Sequence, residues 1–131
     1  MKNILSIIAL SLAVAMSAEA AVVVIGAPGA SDISASEAKK AFLGKGASSA
    51  TVYELEEGNP ARSEFHSKVT GKSDSQLKAF WSKQVFTGKG NPPATLSSAS
   101  AMKSTIAANP NAIGYIDEAD LDDTVKVILK P

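Results

Sequence analysis

Residues 21–25, Ala-Val-Val-Val-Ile, form an unbroken apolar run that stops at Gly26. A strand with one wet face alternates apolar and polar residues, whereas a strand apolar at every position is buried on both faces. The sheet that holds this strand therefore needs cover on both sides, and the rest of the chain must provide helices for it. There is no cysteine, so no disulfide, thiol nucleophile or cysteine metal site contributes. The core alone has to hold the domain, which calls for regular, well-packed elements.

The sequence supplies them in order. Ser34 or Ser36 offers a cap for a helix through about Phe42, with Ala35, Ala38 and Phe42 on one side and Gly44-Lys45-Gly46 ending it. Residues 51–56 alternate well enough for a strand, with Val52 and Leu55 facing inward. Asn59 caps the next helix and Pro60 takes its first position, where a missing N–H costs nothing. Its buried stripe is Phe65 and Val69. Ser73 or Asp74 starts a helix whose stripe is Leu77, Phe80, Trp81 and Val85, with Phe86 also read as core. Ser97 or Ser98 begins the last helix, with Ala99, Met102 and Ile106 on one face, and strands follow over 112–116 and 124–129. This order predicts an α/β fold with a mixed sheet flanked by helices.

The N-terminus reads as a leader. Lys2 gives a positive start, residues 4–14 an apolar run and Ala18-Glu19-Ala20 a small-x-small cleavage site. The run is shorter than the roughly 20 residues that a spanning helix needs, and no Cys stands near the cut to take a lipid. The expectation is a signal peptide over 1–20, one domain over 21–131, and a periplasmic protein with no transmembrane segment after leader cleavage. Thirteen Lys and Arg balance thirteen Asp and Glu. The leader removes one of each sign, Lys2 and Glu19, so the mature domain stays neutral. A nucleic-acid binder would carry a basic excess.

Three segments carry a family resemblance. Residues 41–45, Ala-Phe-Leu-Gly-Lys, look like a "ΦFxGK" helix end. Residues 79–93, running from Phe80-Trp81 through Phe86-Thr87-Gly88-Lys89-Gly90 to Pro92-Pro93, resemble a "yWxxxxFtGkgxpP" run. Residues 109–116, Asn-Pro-Asn-Ala-Ile-Gly-Tyr-Ile, are similar to "npgaIGYv". In this order and spacing they resemble the phosphate-type periplasmic solute-binding proteins. The resemblance implies a single lobe of a type II periplasmic-binding-protein-like fold, where the family has two lobes.

Family members that bind phosphate place an Arg and a Ser-Gly-Thr at a helix start, where backbone N–H groups and the helix dipole meet the anion. Registered on Phe65, the Ser-Gly-Thr positions fall on Asn59, Pro60 and Ala61, and the Arg position on Leu55. Pro60 has no N–H, Ala61 has no hydroxyl, and Glu54, Glu56 and Glu57 surround the site with negative charge. Arg62, in the first helical turn, is positioned to help the Ala61 N–H and the Asn59 side chain hold an anion. The alternative is that Asn59 simply caps the helix while Arg62 pairs with Glu56 or Glu57 at the surface. The turn from Gly26 to Ser31, after the first strand, is a second candidate, because ligands in open α/β sheets sit at carboxyl ends of strands.

Other residues read as structural. His66, beside Phe65 but off its stripe, is expected to be solvated. Asp117, Glu118, Asp120, Asp122 and Asp123 lack the pattern of a calcium loop and read as a solvated acidic turn. Residues 97–100, Ser-Ser-Ala-Ser, have no histidine partner for nucleophilic catalysis. No catalytic, metal or cofactor site is expected. The resemblance implies an exported binder of inorganic phosphate or another small anion, associated with an ABC permease. The alternative is a non-enzymatic periplasmic interaction module that keeps the lobe, has lost the ligand site and docks on an envelope protein.

Overall fold

The computed structural model describes residues 21–45 and 50–131. The expected leader, residues 1–20, and Gly46 lie outside the described residues. β1 (Val22–Gly26) is buried at every position. It lies between β4 (Ala112–Asp117) and β5 (Lys126–Leu129), antiparallel to both. β2 (Thr51–Leu55) runs parallel to β4 on one side and to β3 (Ala94–Leu96) on the other. The five strands make one mixed sheet in the order β3-β2-β4-β1-β5. β3 is absent from the sequence reading: at three residues it is too short to show a pattern, and its pairing with β2 is what makes it a strand.

The helices begin where the sequence offers caps. Ser34 caps α1 (Ala35–Phe42) in a capping box with Glu37, and Ser73 caps α3 (Asp74–Phe86) in one with Gln76. Asn59 caps α2 (Pro60–Lys68) and Ser98 caps α4 (Ala99–Ala108). A cap of this kind contributes about 0.5–2 kcal/mol.

Two neighbours on β4 show how the sheet is covered. Gly114 lies against α4 so closely that a Cβ there would stand 2.5 Å from Met102 Sδ. Tyr115, pointing the other way, stacks on Phe65 of α2 at 4.1 Å between ring centroids. Phe42 of α1 lies 4.5 Å from Phe65. Thus α4 covers one face while α1 and α2 cover the other, which is the two-sided cover that β1 demands.

Helix α3 departs from the expected stripe. Leu77 and Trp81 are buried and Phe80 is half-buried, but Val85 is 51% exposed and Phe86 92% exposed. Apolar periodicity shows which residues share a side of a helix. It does not show how far along that side the body of the protein extends, and here cover ends before the last turn.

Candidate binding groove

At the inner end of β2, two ladders diverge: β2 pairs with β4 only at Thr51 and Val52, then with β3 over residues 53–55. The Tyr115 hydroxyl fills the gap. It accepts from the Leu55 N–H at 3.2 Å and donates to Glu54 Oε1 at 3.3 Å. Burial, together with the Glu54 charge, pushes the Tyr115 hydroxyl well above the usual phenol range.

Glu54 shares a strand face with Val52, and the residue is 2% exposed, so its side chain lies inside the domain. There it hydrogen-bonds His66 Nε2 and lies 3.7 Å from Arg62 Nη1. His66 Nδ1 meets Thr70 Oγ1 at 2.8 Å, and the Thr70 hydroxyl donates to the His66 carbonyl at 3.2 Å. Arg62 also donates from Nη1 to the Leu55 carbonyl at 2.9 Å and from Nε to Asp74 Oδ1 at 3.4 Å. A buried charge persists only with partners of this kind.

Two expectations fail here. His66 is not solvated but 1% exposed, and Arg62 turns inward instead of pairing with Glu56 or Glu57. The cause is a second buried stripe on α2: Arg62, His66 and Thr70 recur every four residues beside Phe65 and Val69. That spacing, opposite an acidic residue in an otherwise apolar strand, is the signal that sequence reading missed.

Outside this cluster, beyond the carboxyl end of β2 and beside the Pro92–Pro93 segment that leads into β3, lies an open groove of about 820 Å³. Leu77, Trp81, Val85 and Phe86 of α3 line it together with Pro92 and Pro93. Glu56, Glu57 and Lys78 supply its charges, and Lys78 Nζ stands 3.6 Å from Glu57. The small exposed part of Arg62 also reaches it.

Of the first turn of α2, Arg62 lines this groove, whereas Asn59 and Ala61 do not. Asn59 Oδ1 accepts from the Ala61 N–H at 3.0 Å, and the Arg62 N–H donates to the Asn59 carbonyl at 3.0 Å. The structure therefore brings Asn59, Ala61 and Arg62 together, but as a closed cap with its donors engaged. Gly26 and Ser31 stand apart from them. β1 is antiparallel to β4, which is parallel to β2, so Gly26 pairs with Ile113 at the opposite end of the sheet from Leu55. Gly26 is packed so tightly that a Cβ would stand 2.7 Å from that of Ala30. The two candidate regions do not form one site.

The acidic turn is tied to basic residues. Lys103 Nζ donates to Asp122 Oδ2 at 2.8 Å, and with Thr124 it holds the Asp122 carboxyl at about 2. Lys130 lies 3.7 Å from Glu118. Among the described residues no three His, Asp or Glu side chains converge as a metal site, and no helix is long and apolar enough to cross a membrane.

No protein-family model matches the chain, and no curated protein matches it. Solved structures do. An ABC-type phosphate transport receptor from Vibrio cholerae aligns over 82% of this chain at 17% identity, with a TM-score of 0.65. A putative phosphate ABC transporter substrate-binding protein with bound phosphate from Clostridium perfringens aligns over 82% at 20% identity, again with a TM-score of 0.65. The chain covers 45% and 44% of those proteins, less than half their length. At these identities the likeness establishes the fold: a mixed sheet flanked by helices, of the form of a single lobe of a periplasmic phosphate-binding protein.

Proposed function

We propose that this chain is an exported, non-enzymatic solute-binding protein of the phosphate-transport kind, working from one lobe and serving an ABC-type transporter. The fold carries this reading, since the structures it resembles are a transport receptor and a substrate-binding protein. An anion at the start of α2 takes the Ala61 N–H from Asn59 Oδ1 and draws Lys78 away from Glu57. Inorganic phosphate is the ligand to test. With Pro60 giving no donor and Glu56 and Glu57 close by, the expected dissociation constant is nearer about 1 mM than about 1 μM.

Calorimetric titration of the purified protein should show saturable heat, and Lys78→Ala should weaken binding about 10-fold or more, as loss of a charge-assisted contact does. Absence of heat at millimolar phosphate, with the protein folded, removes solute binding for this lobe. It leaves the second reading, an interaction module. The inward engagement of Arg62 and the exposure of Phe86 favour that module.

Export rests on Lys2, the apolar run and Ala18-Glu19-Ala20. N-terminal sequencing of protein from a periplasmic extract should begin near Ala21. Recovery of chains that still begin at Met1 would overturn it.

A further inference from the structure

We infer that the groove along α3 is the seat of a second copy of this chain, related to the first by a two-fold axis. Among the described residues, Val85 and Phe86 are the large hydrophobic side chains left exposed, and they sit together on the groove's rim. Beside them is an apolar hollow floored by Leu77, Trp81 and Pro93. One patch thus holds both a projecting aromatic ring and a recess able to receive one. A two-fold contact requires a patch that complements itself, so that the ring of each copy enters the recess of the other.

The charges satisfy the same condition. Glu56 has no ion-pair partner among the described residues, whereas Lys78 on the same groove has only Glu57, at 3.6 Å. A patch bearing both signs suits a copy of itself, turned so that Lys78 of each meets Glu56 of the other. A strongly basic or strongly acidic partner would match only part of it. The chain's formal net charge of zero opposes no self-association. The inference goes beyond the proposed phosphate binding and does not depend on it.

Sedimentation of the purified protein from about 1 μM to about 1 mM tests it. The expected result is a reversible monomer–dimer equilibrium. Phe86→Asp should raise the dissociation constant at least about 30-fold, as loss of a central aromatic anchor does. Because Phe86 is 92% exposed, the variant should keep its circular dichroism and melting temperature. Glu56→Lys, also at an exposed position, should weaken the dimer without unfolding the monomer. A parent that stays monomeric throughout overturns the inference and leaves the groove to a different protein, a small apolar solute or another part of this chain. A dimer that Phe86→Asp leaves unchanged also overturns it, since the copies then meet elsewhere.

Discussion

Glu54→Ala is expected to cost about 3–5 kcal/mol of unfolding free energy, the usual result of removing one partner from a buried charge pair. Against a total of about 5–15 kcal/mol for a domain, that is enough to populate the unfolded state. The carboxylate joins β2 to α2 through His66 and Arg62, and joins β2 to β4 through the Tyr115 hydroxyl. Its loss leaves the Arg62 guanidinium inside the domain with only the Leu55 carbonyl and the partly exposed Asp74. Glu54→Gln keeps the volume and one acceptor and should cost less, about 1–3 kcal/mol. Glu54→Ala and Arg62→Ala combined should cost less than their sum by about 0.5–3 kcal/mol, because each removes the other's partner. Urea denaturation measures all of these. A Glu54→Ala variant that melts within about 0.5 kcal/mol of the parent, as surface changes do, would place the carboxylate in solvent and dissolve the cluster.

That cluster marks where sequence reading stopped. The fold was legible because its signals are local: the apolar run of β1, the caps at Ser34, Asn59, Ser73 and Ser98, and the stripes on α2 and α4. The resemblance added the single-lobe form, and the structural likeness bears it out. The position of Glu54 was not legible, because a carboxylate among apolar residues reads as an outward-facing strand residue. Only pairing with Arg62 and His66, eight and twelve residues further on, lets it lie inside. β3 was invisible for a related reason, since its three residues gain their identity from β2.

Asn59, Ala61 and Arg62 are neighbours in the first turn of α2, after the carboxyl end of β2, as their spacing dictates. The Asn59 cap that holds the Ala61 N–H was legible as the alternative to an anion site, but the inward turn of Arg62 was not. Sequence spacing also did not reveal that Gly26 and Ser31 lie at the other end of the sheet. That follows from strand direction, which no local pattern encodes. The antiparallel entry of β1 is a property of pairing across most of the chain's length.

Trp81→Ala is expected to cost about 3–5 kcal/mol, as removal of a buried aromatic ring does, and to loosen α3 before the rest of the domain. This helix buries only Leu77 and Trp81, so it is held by few side chains. The Trp81 ring passes beside Gly44, where even a Cβ would stand 3.3 Å from it, and meets Phe80 edge-on at 5.0 Å between centroids. The indole Nε1 is buried with no hydrogen-bond partner among the described residues, and an unpaired donor is itself destabilising by about 1–3 kcal/mol. Trp81→Phe keeps a ring and drops that donor, so it should cost less than half as much as Trp81→Ala. Trp81 is the single tryptophan, so the parent's emission should be blue-shifted and move to the red on unfolding. Phe86→Ala, five residues along the same helix but exposed, should change stability by no more than about 0.5 kcal/mol. This contrast separates anchor from rim. If Trp81→Ala melts like the parent, α3 is held by something other than its ring. The groove floor would then not be the fixed surface that both the anion and the second copy require.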